Sequence, residues 1–242
     1  MLLPVVHDAW WGFADLVLGA DCVGCGRAGR SWCAVCAPAI EGQLVSGPSA
    51  RVGVCVLAAA AYDGPVRAAL LGHKDDGRLG LVRPLGDALA RSVDGVLGVS
   101  RRPVLLVPVP SSPAVVRRRG HDHALRLARR AARTLRADGR PVVAARLLRV
   151  SGSVRDQVGL DRAQRSRNKQ GSMLPRGAIG RWRGHDAVVV DDIATTGASL
   201  AEAVRRLDAS GVAVVGAATV AAVRLHRDES TRSAVPTGSN LR

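Results

Sequence analysis

Aromatic side chains are nearly missing from this sequence: one Phe, one Tyr and four Trp, 2% of 242 residues, with only two Met beside them. A core without large rings has to be filled with Val, Leu, Ala and Ile, which suits a parallel sheet covered by helices. It also excludes base stacking as the main source of affinity for any nucleic acid. Long uncharged apolar runs are lacking too. The apolar opening, MLLPVVHDAWWGFADLVLGADC, is interrupted by Asp8, Asp15 and Asp21 and follows no basic segment, so it reads as an amphipathic or buried helix. Trp10, Trp11 and Phe13 are expected to pack against the neighbouring domain, with a surface-lying or partner-docking helix as the alternative. No membrane span is expected, and a cytoplasmic location is.

Acids are short as well, 20 against 35 Lys and Arg, for a formal net charge of +15. The excess is localised. Arg117 to Arg140 carries nine Arg against Asp122 and Asp138, and Arg146 to Arg183 carries ten bases against Asp156 and Asp161, which accounts for all of it. A concentrated basic surface favours phosphates, on a small substrate or on a nucleic acid, although an Arg-rich helix face is also often just solvated.

Four of the five cysteines stand together in CVGCGRAGRSWCAVC. Cys22, Cys25, Cys33 and Cys36 form two C-x-x-C pairs, the spacing that closes four thiolates around a structural zinc ion, and Gly24 and Gly26 help each turn wrap back towards it. Two disulfides are disfavoured in a cytoplasmic chain, and an iron–sulfur cluster would use the same ligands. Cys55, alone in VGVCVLAAAAY, reads as a small core residue.

Strand and helix signals alternate from there on. After a Gly/Pro/Ser break at Ser46 to Ser49, RVGVCVLAAAAY predicts a strand, and DGPVRAALLGHK and GLVRPLGDALARSVDGVL predict helices. PVLLVPVP predicts a buried strand, Val115 to Ala137 one long helix, PVVAARLLRV a strand, and Ser151 to Gly171 an irregular polar segment. DAVVVDD predicts a strand, Ala198 to Ala209 a helix and VAVVGAATVAAV a last strand. This order predicts an α/β fold with a parallel sheet and helices on both faces. The domain reading is a terminal helix and four-cysteine module over residues 1–45, the α/β domain over 46–226, and a polar, disordered tail over 227–242.

In VVVDDIATTGAS the buried strand ends on Asp191 and Asp192, where open parallel sheets bind ligands. Thr195, Thr196, Gly197, Ala198 and Ser199 then turn into a helix, offering hydroxyls and backbone N–H groups to an anion. Paired acids want hydroxyls or a cation, and the turn wants a phosphate. A sugar phosphate satisfies both. An Asp cap followed by ordinary turn residues would account for only one of the two acids.

This stretch resembles the phosphoribosyl-pyrophosphate motif of type I phosphoribosyltransferases, and the chain from Cys22 to about Leu225 is similar to the ComF family known from bacterial DNA uptake. The similarity runs through the four-cysteine module, YDGPVRAALLGHKDDG, VPVPSSPAVVRRRGHDHALRLAR, DQVGLDRAQRSRNKQGSM and the acidic motif, in that order. It implies a type I phosphoribosyltransferase-like sheet with a small N-terminal zinc ribbon. Asp191 and Asp192 would hold the ribose and act at the anomeric carbon by positioning and electrostatics, with Thr195 to Ser199 on the 5-phosphate. Ser111 and Ser112, in the turn PVPSS, would hold the diphosphate through Mg²⁺. Lys74 matches a family position, and Arg165 and Lys169, on a loop closing over the site, would meet the diphosphate. The implied partners are phosphoribosyl pyrophosphate, single-stranded DNA and a DNA-uptake helicase. A nucleotide-salvage transferase and a non-catalytic adaptor are the other readings. His121, Asp122 and His123 depart from the family pattern, which has an aromatic and amides there, and Met173 replaces a Phe. Both histidines read as exposed helix residues.

Overall fold

Branched apolar runs bounded by Gly, Pro and Asp build the sheet of the computed structural model, in which residues 21–100, 102–151, 171–177, 179–182 and 184–223 are described. The opening helix with Trp10, Trp11 and Phe13, the loop with Arg165 and Lys169, and the tail lie outside the described residues.

In chain order the elements are α1 Pro38–Glu41, β1 Val45–Ser46, α2 Ser49–Val52, β2 Val56–Ala61, α3 Gly64–Lys74, α4 Val82–Leu97, β3 Val104–Pro108, α5 Pro113–Arg119, α6 His123–Ala137, β4 Val142–Ala144, β5 Leu148–Val150, β6 Met173–Pro175, β7 Asp186–Ala194, α7 Ala198–Asp208 and β8 Ala213–Ala222. The main sheet has the order β1-β2-β8-β7-β3-β4. Only the β1 edge is antiparallel. β5 and β6 form a separate antiparallel pair.

The apolar runs are continuous because both sheet faces are covered. Val188 and Val190 meet Leu85, Leu89, Leu127 and Leu135 of α4 and α6, together with Leu70 of α3. Ala187 and Val189 meet Leu200 and Leu207 of α7, Val52 of α2, and Leu148 and Met173 of the small hairpin. Ile40, in α1 beside the cysteine module, already belongs to the first of these cores, so the module and the sheet share packing.

Three element readings are corrected. The helix expected over Val115 to Ala137 is two helices, because Gly120 takes a left-handed conformation (φ 73°) and ends α5, and Asp122 caps α6 by accepting from Leu125 N at 3.2 Å. PVVAARLLRV splits into β4 and β5 in different sheets. The segment expected to run as strand from Arg51 enters β2 only at Val56, after the turn of helix α2. Cys55 is exposed and outside the core, with its carbonyl accepting from Ala217 N.

Candidate functional site

The chain steps outward from β3 to β4 and then returns across β3 to β7, so the connections leaving β3 and β7 diverge at their carboxyl ends. This is where an open α/β sheet forms a ligand crevice. β3 ends at Pro108 opposite Val190, and Val109 N donates to Val190 O at 2.9 Å. β7 continues to Ala194, paired from Asp191 onward with β8 alone. Asp191 and Asp192 therefore lie inside the strand on a stretch whose β3 side is open, and the PVPSS turn leaves directly beside them.

Asp192 is buried and Asp191 half-buried. Two helices converge on Asp192: Lys74 Nζ, at the end of α3, donates to Oδ2 at 2.7 Å, and His123 Nε2, first in α6, stands 3.5 Å from the same oxygen. Asp192 N in turn donates to Asp191 Oδ1 at 2.9 Å. Burial would raise the Asp192 carboxyl, but Lys74 and His123 hold it below its ordinary value. Asp191, deprived of water and beside a second carboxylate, is pushed well above its ordinary value. Burial lowers Lys74, and the two acids more than reverse this. Burial also lowers His123, and it brings His73 down to about 4 with help from His121, His123 and Arg126.

The turn after the acids depends on Gly197, which caps α7 with φ 76°; a Cβ there would lie 2.8 Å from Pro48 Cγ and Val52 Cγ2. Glycine is required by conformation and by contact with α2. No side chain caps α7; Ala198 N meets Thr196 Oγ1 at 3.4 Å. Thr195 is exposed, and Thr196, Ala198 and Ser199 are partly so. Ser111 and Ser112 are half-buried, and Ser112 Oγ caps α5 by accepting from Val115 N at 3.3 Å.

His121 and His123 are both buried, against the expectation that they are exposed. The break at Gly120 is the reason: it turns His121 under α3, where its ring nitrogens lie 3.0 Å from Arg119 O and 3.1 Å from His73 O, and it places His123 at the inward start of α6. His73, wholly buried, had no local signal. Glu202, another buried acid, is bound by Arg205, Arg206 and Gly171 N.

The four cysteines converge: Cys22 Sγ lies 3.7 Å from Cys36 Sγ and Cys25 Sγ 3.5 Å from Cys33 Sγ, with all four within 4.8 Å of one another. Thiolates bonded to one tetrahedral ion at about 2.3 Å stand about 3.8 Å apart, so the donors fit a single ion. A multi-iron cluster would hold them further apart, and none is in a disulfide. Burial opposes charge on Cys22, yet backbone N–H groups of Cys33, Gly24 and Cys25 bring it down to about 6. The module sits on α3: Gly24 leaves no room for a Cβ beside Cys36 Sγ and Pro65, and Arg78 Nη1 donates to Asp21 O at 2.9 Å.

A cavity of about 500 Å³ lies at the opposite end of the sheet, lined by residues that include Asp87, Asp94, Thr134 and Arg140. Two of its acids are paired: Arg130 and Thr134 donate to Asp87, and Arg140 pairs with Asp94.

Residues 123–237 match the family model of the phosphoribosyl transferase domain. The parallel α/β sheet with its crevice between β3 and β7 is a type I phosphoribosyltransferase-like fold. Among solved structures, the crystal structure of an adenine phosphoribosyltransferase is similar at 14% identity over 77% of this chain and 89% of that chain, with a TM-score of 0.35, too loose to transfer residues. No curated protein sequence matches. Among the described residues no helix is long and apolar enough to cross a membrane.

Proposed function

We propose that the protein binds phosphoribosyl pyrophosphate with Mg²⁺ at the carboxyl ends of β3 and β7, and that it is a ComF-type protein of the phosphoribosyltransferase fold. The observation that carries this is the carboxylate pair on the open stretch of β7, Asp192 buried and Asp191 half-buried, followed by a helix N-terminus behind Gly197 without a side-chain cap. Asp191 and Asp192 would accept from the ribose hydroxyls. The N–H groups and hydroxyls of Thr195, Thr196, Gly197, Ala198 and Ser199 would hold the 5-phosphate. Mg²⁺ would neutralise the diphosphate, with Ser111, Ser112, Lys74, Arg165 and Lys169 as its protein partners. In transfer, the bond from the anomeric carbon to the pyrophosphate oxygen breaks, its electron pair leaves on pyrophosphate, and the acceptor's lone pair replaces it. The carboxylates contribute by positioning and by stabilising positive charge on the ring. Lys74 holds Asp192 until the ribose arrives.

The test is calorimetric titration with phosphoribosyl pyrophosphate and Mg²⁺, followed by assay of pyrophosphate release over a nucleobase panel. Binding with release identifies a salvage-type transferase. Binding without release leaves an adaptor, and no binding refutes the reading.

We further propose zinc at Cys22, Cys25, Cys33 and Cys36, with the module over residues 1–45 and the transferase-like domain over 46–226. Cys33→Ser should release about one zinc per chain; iron and sulfide in the purified protein would refute zinc.

A role in handling incoming single-stranded DNA in the cytoplasm, beside a helicase, is favoured by α5, whose Arg117 and Arg118 are exposed beside the crevice. Transformation frequency in a deletion strain tests it.

A further inference from the structure

We propose that His123, Asp191 and Asp192 form a binding site for a first-row transition-metal dication, in competition with Lys74. The proposal takes only its location from the phosphoribosyl reading. One nitrogen of His123 and one oxygen of each acid lie within 4.8 Å of one another. His123 Nε2 is 3.5 Å from Asp192 Oδ2, too far for a good hydrogen bond. It is close to the roughly 3.0–3.4 Å that separates two ligand atoms bonded to one ion at about 2.1 Å.

The histidine is itself an unanswered group. Its side chain is 8% exposed, and its Nδ1 is buried with no hydrogen-bond partner. Charge points the same way: two carboxylates face one ammonium, which binds Asp192 at 2.7 Å, while Asp191 accepts from the backbone N–H of Asp192. Sugar hydroxyls would satisfy hydrogen bonds there without neutralising that charge. An imidazole with two carboxylates selects Mn²⁺ to Zn²⁺ over Mg²⁺ or Ca²⁺, which take oxygen ligands. Lys74 has to release Asp192 for the ion to enter.

The experiment uses the full zinc-loaded chain at neutral pH without phosphoribosyl pyrophosphate and with Mn²⁺ as probe, because Mn²⁺ competes poorly for the four thiolates. Electron paramagnetic resonance should show about one Mn²⁺ bound per chain, with a nitrogen coupling from the imidazole in the echo-modulation spectrum. His123→Gln should weaken binding at least tenfold and remove that coupling. Lys74→Met should tighten it several-fold, an outcome that misfolding cannot mimic. Wild-type protein that retains no Mn²⁺, bound Mn²⁺ without nitrogen coupling, or His123→Gln affinity within twofold of wild type overturns the proposal. A melting shift of His123→Gln with phosphoribosyl pyrophosphate and Mg²⁺ separates the two readings: its survival leaves the phosphoribosyl site standing when the metal site fails.

Discussion

The two ends of the central sheet carry similar side chains in opposite states. At the amino end, around the cavity between α4 and α6, Asp87 is held by Arg130 and Thr134, and Asp94 by Arg140. At the carboxyl end, five of the seven buried side-chain nitrogens without partners among the described residues belong to His73, His123, Arg119 and Arg126. Two adjacent acids there, Asp192 buried and Asp191 half-buried, face one lysine, which bonds Asp192. Buried polar groups are normally satisfied, so a concentration of unmet ones marks a place where something else binds. The cavity at the amino end lies among mostly paired charges; the crevice at the carboxyl end is the candidate site.

Glycines sharpen the contrast most. Gly139, after α6, has φ 75° and open space around its missing Cβ, whereas Gly197 has φ 76° and two carbons at 2.8 Å. Gly139→Ala should cost about 1 kcal/mol and leave ligand binding alone, while Gly197→Ala should cost about 3–4 kcal/mol through left-handed strain plus overpacking, and abolish binding. Denaturant titrations with calorimetry compare them, and equal costs would break the contrast.

His73 supplies the next effect. It is neutral when folded, with a pKa near 4 against 6.5 as the ordinary value. Its contribution is present above pH 6.5 and is lost as pH falls towards 4, by up to about 3 kcal/mol. His73→Leu should lose less stability than wild type between pH 6.5 and 4 in parallel melts; identical acid profiles would contradict the burial argument.

At the amino end, Thr134→Val removes one hydrogen bond to Asp87 and should cost about 1 kcal/mol with no change in ligand affinity. A lost affinity would mean that the two ends are coupled. The smallest effect is on DNA. Arg119 is paired with Asp75, so Arg117→Ala with Arg118→Ala should flatten the salt dependence of single-stranded DNA binding by about two phosphate contacts. An unchanged slope removes α5 from any DNA surface.

How much of this was legible depended on how local the signal is. The paired acids, Gly197 and the cysteine spacing are contiguous and read directly. Both sheet faces followed from apolar runs such as VVV and LLV. The partners of Asp192 did not: Lys74 lies 118 residues away, and no local pattern joins them. A continuous helix over Val115 to Ala137 puts His121 and His123 on an exposed face; the left-handed Gly120 ends that helix early and turns both inward. An unbroken strand from Arg51 would bury Cys55; the bend at Val54 leaves it exposed. The basic windows conflated two uses of arginine: α6 spends Arg130 and Arg136 on Asp87 and Val142 O, and α5 leaves Arg117 and Arg118 exposed.

Asp191 offers the cleanest probe of the site. Asparagine there keeps the acceptor for Asp192 N and removes the charge that burial and Asp192 oppose, whereas changing Asp192 would strand Lys74. In a thermal-shift series, Asp191→Asn should melt without ligand at or above the wild-type temperature. Phosphoribosyl pyrophosphate with Mg²⁺ should raise the melting temperature of wild type, more than ribose 5-phosphate does, and leave that of Asp191→Asn unmoved. A variant that responds as wild type does would contradict the assignment of the crevice to a phosphoribosyl ligand.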